Sequence, residues 1–312
     1  MQKNYKIFDA HCDTINVIFD DNETLKKNTK MVNDKMFRAY NGYIQVFATW
    51  VSPQKADSCF LQAEKRSKKF YEVTKEADFT VIKDKKSLLD VIKNNKFGAI
   101  LALEDGAAIS GSLDVLQKLY DIGYRAVTLT WNGENDIGDG AVNSKSRGLT
   151  DFGKSVVKKM NFLGMVVDVS HLSERGFWDV MEISSKPIMA SHSNAKAVCG
   201  HLRNLNDEQI KALIKTNGAM GINLFPDFLS DSKKTDITDI LRHIEYVLSL
   251  GGEDILGIGT DFDGIDRAPS GFQNAESLYK IFDEMKKIGY SDSLIEKITY
   301  KNFVRVFSEN LM

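Results

Sequence analysis

Eight apolar, often β-branched runs alternate with amphipathic stretches along 312 residues, no Ser/Gly-rich linker divides them, and polar residues close most of the runs. Together these predict an α/β protein: a (β/α)8 barrel of the TIM type, a single domain over residues 1–312 with an extra C-terminal helix. The runs cover 5–11, 43–50, 98–104, 126–131, 165–171, 187–192, 219–225 and 255–261. Near-continuous apolar runs suit strands buried on both faces, as in a parallel sheet. Helices are expected between them at 56–74, where Phe60, Ala63, Ser67, Phe70 and Tyr71 share a face, and at 87–94, 113–122, 152–163, 173–183, 207–216 and 237–250. Thr150-Asp151 and Ser173-Glu174 read as caps, and Asn206-Asp207-Glu208-Gln209 supplies an acidic first turn. The patterns at 275–287 and 293–307 give the last helix and the extra one. A doubly wound open sheet competes less well, because the Gly-rich phosphate turn it often carries is missing after the first run.

Composition narrows the function classes. Hydrophobic residues at 43% and charged residues at 27% provide a large core and no signature of disorder. A net charge of -2 argues against a dedicated nucleic-acid binder, which is basic. Cys12, Cys59 and Cys199 are odd in number and lack metal-ligand spacing, so they fit free thiols in a reducing compartment. No apolar signal core follows Met-Gln-Lys-Asn-Tyr-Lys, and no apolar run is long enough to span a bilayer. A cytoplasmic protein with no membrane or nucleic-acid partner is expected.

The polar residues at the run ends carry the chemistry. Residues i and i+2 of a strand face one side, so His11 and Asp13 point together and Cys12 points away. Glu104 closes the third run, His171 the fifth, His192 the sixth and Asp261 the eighth. A barrel gathers these ends on one face, where active sites are built. Of five histidines, three occupy such ends. One alone is as readily a satisfied core side chain; the set is a metal site. Three imidazoles and two or three carboxylates exceed what one tetrahedral zinc needs. Glu104 can bridge two ions with its two oxygens, and a two-metal site can hold a hydroxide between them. The free carboxylate, Asp261, can accept a proton from the hydroxide and return it to a leaving amine. That suits hydrolysis of an amide, an ester or a phosphoester, and the residues alone do not choose among the three.

Nearly the whole chain resembles the membrane (renal) dipeptidase family, a set of dizinc (β/α)8 peptidases. The resemblance rests on Asp9-Ala10-His11-Cys12-Asp13-Thr14, Leu103-Glu104-Asp105-Gly106, Tyr124-Arg125-Ala126-Val127-Thr128-Leu129-Thr130, Asp168-Val169-Ser170-His171, Ala190-Ser191-His192-Ser193-Asn194-Ala195, Arg203-Asn204 and Gly259-Thr260-Asp261-Phe262-Asp263-Gly264. It implies two Zn2+ per chain, with His11 and Asp13 on one, His171 and His192 on the other, and Glu104 bridging. It implies that Asp261 handles the proton and that Arg203 grips the substrate carboxylate. A guanidinium fork on a free C-terminal carboxylate rejects longer peptides, which place no charge there. The resemblance also implies tolerance of a D-residue on the C-terminal side of the substrate, and a homodimer.

Two positions depart from the family pattern. Many relatives carry a histidine after Thr128-Leu129-Thr130 that stabilises the oxyanion or binds substrate; here it is Trp131, with one N–H donor and no basic nitrogen. That role weakens or passes to a neighbour such as Asn132. After Asn223 the family often has a tyrosine, and Phe225 lacks its hydroxyl. Trp131, Asn132, Phe225 and Arg203 are therefore the expected substrate contacts. The polar, Gly-rich stretch 131–148 reads equally as an active-site loop or a solvated connection, with Arg147 a surface residue, and 264–273 is similar. Asp263 can share the face of Asp261, which is preferred because it directly ends the run. His243 is expected exposed on a helix, and the Lys-rich stretches read as solvated faces.

The expected function is a zinc-dependent dipeptidase acting on small dipeptides. Another binuclear amidohydrolase, acting on a lactone or an acylated amino acid, and a metal-binding barrel without catalysis are the alternatives. A two-carboxylate glycosidase leaves the histidines without a purpose.

Overall fold

The computed structural model describes residues 4–55, 58–143, 146–232 and 234–312. Within them, eight parallel strands close into a ring: β1 (Ile7–Cys12), β2 (Tyr43–Trp50), β3 (Phe97–Glu104), β4 (Tyr124–Thr128), β5 (Val166–Asp168), β6 (Met189–Ala190), β7 (Ala219–Ile222) and β8 (Leu256–Ile258). Each pairs with the next, and β8 returns to β1 through Asp9 and Ile258. A two-residue strand, Thr80–Val81, lies beside the start of β3. This is the expected (β/α)8 barrel.

Strand alternation sorts the side chains into two layers. Phe8, Ala10, Ile44, Val46, Ile100, Ala102, Ala126, Val166, Met189 and Ala219 fill the barrel interior. Tyr43, Phe47, Leu101, Leu103 and Val167 face outward into the larger core under the helices. The chain end forms the floor. A π-helical turn, Lys297–Lys301, leads into the helix Asn302–Asn310. Phe8 stacks on Phe303 at 5.5 Å and meets Phe307 at 5.3 Å. The extra C-terminal helix thus plugs the N-terminal end of the barrel and leaves the other end open.

The helices arise where periodicity and caps place them. Thr150, Ser173 and Asn206 accept hydrogen bonds from the backbone N–H groups of Gly153, Gly176 and Gln209. The second expected helix spans Lys85–Asn94, started by Asp84, and the first spans Cys59–Glu76. The expected start of that first helix, Ala56, lies outside the described residues. The helix Thr14–Asp20, directly after β1, was not anticipated.

Two expectations are corrected. His243 is fully buried: Nδ1 accepts from the Ala195 N–H at 3.1 Å and Nε2 donates to the Leu229 carbonyl at 2.9 Å. Helical spacing put it on a helix but not on which face. Lys69 is also buried, its ammonium 3.6 Å from Glu72, because its stem packs with the inner face of Cys59–Glu76. Among the described residues no helix is long and apolar enough to cross a membrane.

The floor packing sets a stability test. Phe303→Ala removes the ring stacked on Phe8 and opens a void that the rigid barrel cannot collapse into. Urea unfolding is expected to show a loss of about 3–5 kcal/mol. A loss under about 1 kcal/mol would mean that the helix does not close the barrel.

Candidate metal centre

His11 and Glu104 lie within the ends of β1 and β3, whereas from β4 onward the strands end earlier than the apolar runs and the site residues sit in the turns just beyond. Asp13 precedes the helix Thr14–Asp20, and His171, His192 and Asp261 follow β5, β6 and β8 by two to three residues. One irregularity in β1 aims His11. Asp9 pairs with Gln45 and Cys12 with Phe47, so β1 carries one residue more than β2 over this stretch. The bulge shifts the alternation, and His11 turns to the barrel mouth while Cys12 joins the outer core. His171 and Asp261 hold left-handed backbone, at φ 66° and 62°. Such geometry is costly away from glycine and is tolerated where the surroundings impose it.

These residues converge. His11 Nε2 lies 3.4 Å from Asp13 Oδ2, 3.7 Å from Glu104 Oε2 and 3.8 Å from Asp261 Oδ1. His171 Nε2 lies 3.2 Å from Glu104 Oε1, and His192 Nε2 lies 4.0 Å from the same oxygen. Glu104 therefore turns one oxygen to His11 and Asp13 and the other to His171 and His192. Donor atoms of His11, Asp13 and Glu104 lie within 4.8 Å of one another, as do those of Glu104, His171 and His192, and those of His11, His192 and Asp261.

The protonation pattern calls for cations. Asn132 Oδ1 can only accept, so it takes the Nδ1–H of His171 at 2.9 Å. Ser191 Oγ spends its hydrogen on Asp168 Oδ2 at 2.5 Å and so accepts the Nδ1–H of His192 at 2.7 Å. Both Nε2 atoms are then bare lone pairs, yet they face each other at 2.9 Å. His11 Nε2 is buried without a hydrogen-bond partner. Burial, then the Asp13 charge, pushes the Glu104 carboxyl up to about 8, and burial foremost raises Asp261 to about 6. Burial opposes charge on His11, but Glu104 and Asp13 hold it well above its ordinary value. Burial, reinforced by Arg203 and His11, keeps His171 and His192 well below theirs. Neutral imidazoles and crowded carboxylates facing one point fit divalent cations.

A second layer holds the donors. Asn16 Nδ2 donates to Asp13 Oδ1 at 2.6 Å, and Asn223 Nδ2 donates to Asp261 Oδ2 at 2.9 Å. Asp168 collects Thr128 Oγ1, the Ser170 and Ser191 N–H groups and Ser191 Oγ at 2.5–3.0 Å. Its carboxylate thus reaches His192 through one hydroxyl. Asp263 is occupied elsewhere, accepting Thr14 Oγ1 at 2.6 Å and the Met31 N–H at 2.8 Å. Asp261 keeps a free oxygen toward the centre, in line with the preference for it.

A cavity of about 710 Å³ opens above these groups, and Trp131, Asn132, Arg203 and Phe225 all line it. Trp131 is 38% exposed at the rim, edge-on to Trp50 at 5.3 Å. Asn132 has its carbonyl engaged by His171, so it orients that ring. Arg203 is buried, its guanidinium 5.5 Å from the Phe228 ring and its Nε without a partner. Burial lowers it to about 10, still protonated at neutral pH. The Arg147 side chain is not part of this wall, whereas Gly264, Ile265 and Asp266 are. Asn16, Trp50, Asp168, Ser191 and Asn223 are supports that residue-type reasoning passed over. An Asp inside an apolar run, three residues before a run-end histidine, was the one available signal.

The relay from Asp168 to His192 yields a prediction. Ser191→Ala leaves His192 Nδ1 without its acceptor, and metal affinity, read by competition with a chromophoric chelator, should fall about 10–100-fold. Unchanged affinity in a folded variant would remove Ser191 from the site.

Comparison with known proteins follows the same line. A family profile, Membrane dipeptidase (Peptidase family M19), matches residues 1–311. An uncharacterised protein of Klebsiella pneumoniae, from the pqqA 5' region, is 34% identical over 225 residues, 69% of this chain and 83% of that one. A metallo peptidase of Rhodobacter sphaeroides, solved with a phosphinate mimic of the dipeptide L-Ala-D-Ala, superposes with a TM-score of 0.91 at 24% identity, covering 99% of this chain and 100% of that one. The probable dipeptidase PvdM of Pseudomonas aeruginosa superposes with a TM-score of 0.87 at 19% identity, over 98% and 95% of the two chains. Fold, donor set and profile agree: this chain belongs to the membrane dipeptidase family, M19, and is a metal-dependent dipeptidase.

Proposed function

We propose that the enzyme hydrolyses small dipeptides with two zinc ions, one held by His11 and Asp13, the other by His171 and His192, with Glu104 between them. The observation that carries this reading is Glu104, whose two oxygens face two separate donor pairs. When bound, zinc supplies Lewis acidity: it polarises a carbonyl oxygen and lowers the pKa of water toward neutrality.

The chain's own residues do the rest. Asp261, raised to about 6 by burial, is largely ionised at neutral pH yet easily protonated. That suits a group that takes a proton from the nucleophile and passes it to the leaving amine. Asn223 fixes one of its oxygens and leaves the other free. Arg203 offers a buried guanidinium, with one N–H group held by the His192 carbonyl at 3.5 Å and Nε unpaired, to the terminal carboxylate of the substrate. A longer peptide puts a neutral amide there and leaves the charge unpaired, which excludes it. A substrate with a C-terminal D-residue is within this reading, supported by the dipeptide mimic bound to the Rhodobacter sphaeroides peptidase.

The test counts metal per chain and screens L,L- and L,D-dipeptides, a tripeptide and a lactone with and without chelator. Two zinc equivalents and chelator-sensitive cleavage of dipeptides alone are expected. Lactone turnover in place of dipeptide cleavage would overturn the substrate class. Asp261→Asn should keep its metal and lose about 100–10,000-fold in kcat. Near-normal turnover would remove Asp261 as proton carrier. Arg203→Ala should raise KM for dipeptides about 10–100-fold. An equal loss on a C-terminally amidated substrate would refute the clamp.

A further inference from the structure

The cavity carries a second buried guanidinium opposite the first. Arg203 follows β6, and Arg66 lies on Cys59–Glu76, which follows β2. In an eight-membered ring these strands stand four apart, so the two arginines approach one cavity from opposite walls. Their settings match. Arg66 is 3% exposed, its guanidinium sits 5.2 Å from the Phe19 ring, and its Nε has no hydrogen-bond partner. Lys55 lines the same wall, its ammonium 5.6 Å from the Trp50 ring. The acidic group between them is Asp20, at 3.6 Å from Arg66 and 3.9 Å from Lys55. Both distances are beyond hydrogen-bond range, and the Asp20 side chain is 54% exposed. Two cations thus share one solvated carboxylate.

Substrate direction gives this wall a meaning. With the terminal carboxylate on Arg203 and the scissile bond over the donor cluster, the N-terminal residue points toward Arg66 and Lys55. We propose that Arg66 and Lys55 form a subsite for a carboxylate side chain on the N-terminal residue, so that the preferred substrates are dipeptides beginning with Glu or Asp. This rests on the dipeptidase reading above. A guanidinium fork can take both oxygens of such a side chain, and the partly dry wall strengthens the contact. A neutral side chain gives the Arg66 guanidinium no countercharge beyond the solvated Asp20.

The measurement is a ratio on the zinc-loaded enzyme: kcat/KM for L-Glu-L-Ala over kcat/KM for L-Gln-L-Ala, an isosteric pair differing in one charge. L-Ala-L-Ala serves as the control for dipeptidase activity. The expected ratio is about ten or more. Arg66→Gln should bring it to within about twofold of unity, and Lys55→Gln, a half-exposed position that leaves the fold alone, should lower it about threefold. Arg66→Lys should restore part of it. A ratio near one in the parent enzyme, with L-Ala-L-Ala cleaved, overturns the subsite and leaves the dipeptidase reading standing. Preference for L-Lys-L-Ala overturns it as well, and assigns the wall to Asp20. A ratio that survives Arg66→Gln and Lys55→Gln places the recognition elsewhere and also overturns it. Failure to cleave any dipeptide, in protein carrying two zinc ions, sinks the dipeptidase reading itself.

Discussion

The electrostatics of Glu104 govern the upper half of this barrel. Its carboxylate is buried among Asp13, Asp261, His11, His171 and His192. Burying one such charge unpaired costs several kcal/mol, and burying three together costs more. Protein groups alone do not resolve the conflict. His11 can carry a proton between Glu104 and Asp13, but His171 and His192 stay neutral and turn bare nitrogens toward one another. Divalent metal in the space that the donors leave would relieve the conflict, so metal binding and local order would be coupled here.

The fold serves that constraint by stiffening what surrounds it. The ring is closed below by Phe303 and Phe307, so the strands cannot splay to relieve repulsion at their other ends. The backbone accepts strain where the donors emerge, with left-handed geometry at His171, Asp261 and Asp263. Gly221 and Gly259 let β7 and the end of β8 close on the Ser191 carbonyl; a Cβ at Gly259 would stand 1.7 Å from that oxygen. That approach keeps Ser191 between Asp168 and His192. A substitution at either glycine would therefore act on the metal site through packing, without touching a ligand.

What could be read from the chain follows the range of the interaction. Helices at 113–122 and 152–163 were legible almost to the residue, because caps and periodicity are local. The donors were legible because His, Asp and Glu are rare at the ends of apolar runs, and a barrel brings all such ends together. The supports were not, since Ser191 meets Asp168, and Asn223 meets Asp261, across 23 and 38 residues. The ends of β4 to β8 were overestimated because the apolar character continues through turns such as Val169 to Leu172. His243 was misplaced for a related reason: its partners, Ala195 and Leu229, belong to other segments. Trp131 was identified as a departure, but only the structure gives Asn132 its task of holding the His171 ring.

The cavity walls complete the physical picture. Arg203 Nε, Arg66 Nε and Trp50 Nε1 are all buried donors without acceptors, and all three residues line the same space. Each unmet donor costs about 1–3 kcal/mol in the free enzyme. The floor is rich in acceptors but fully committed to the metal site, so it cannot serve them. A ligand bearing carboxylates at both ends can pair with the guanidinium groups of Arg203 and Arg66, and a hydrocarbon ligand pairs with neither. On the proposed reading, the two guanidinium groups make the cavity selective for small, doubly acidic molecules, one group for each end.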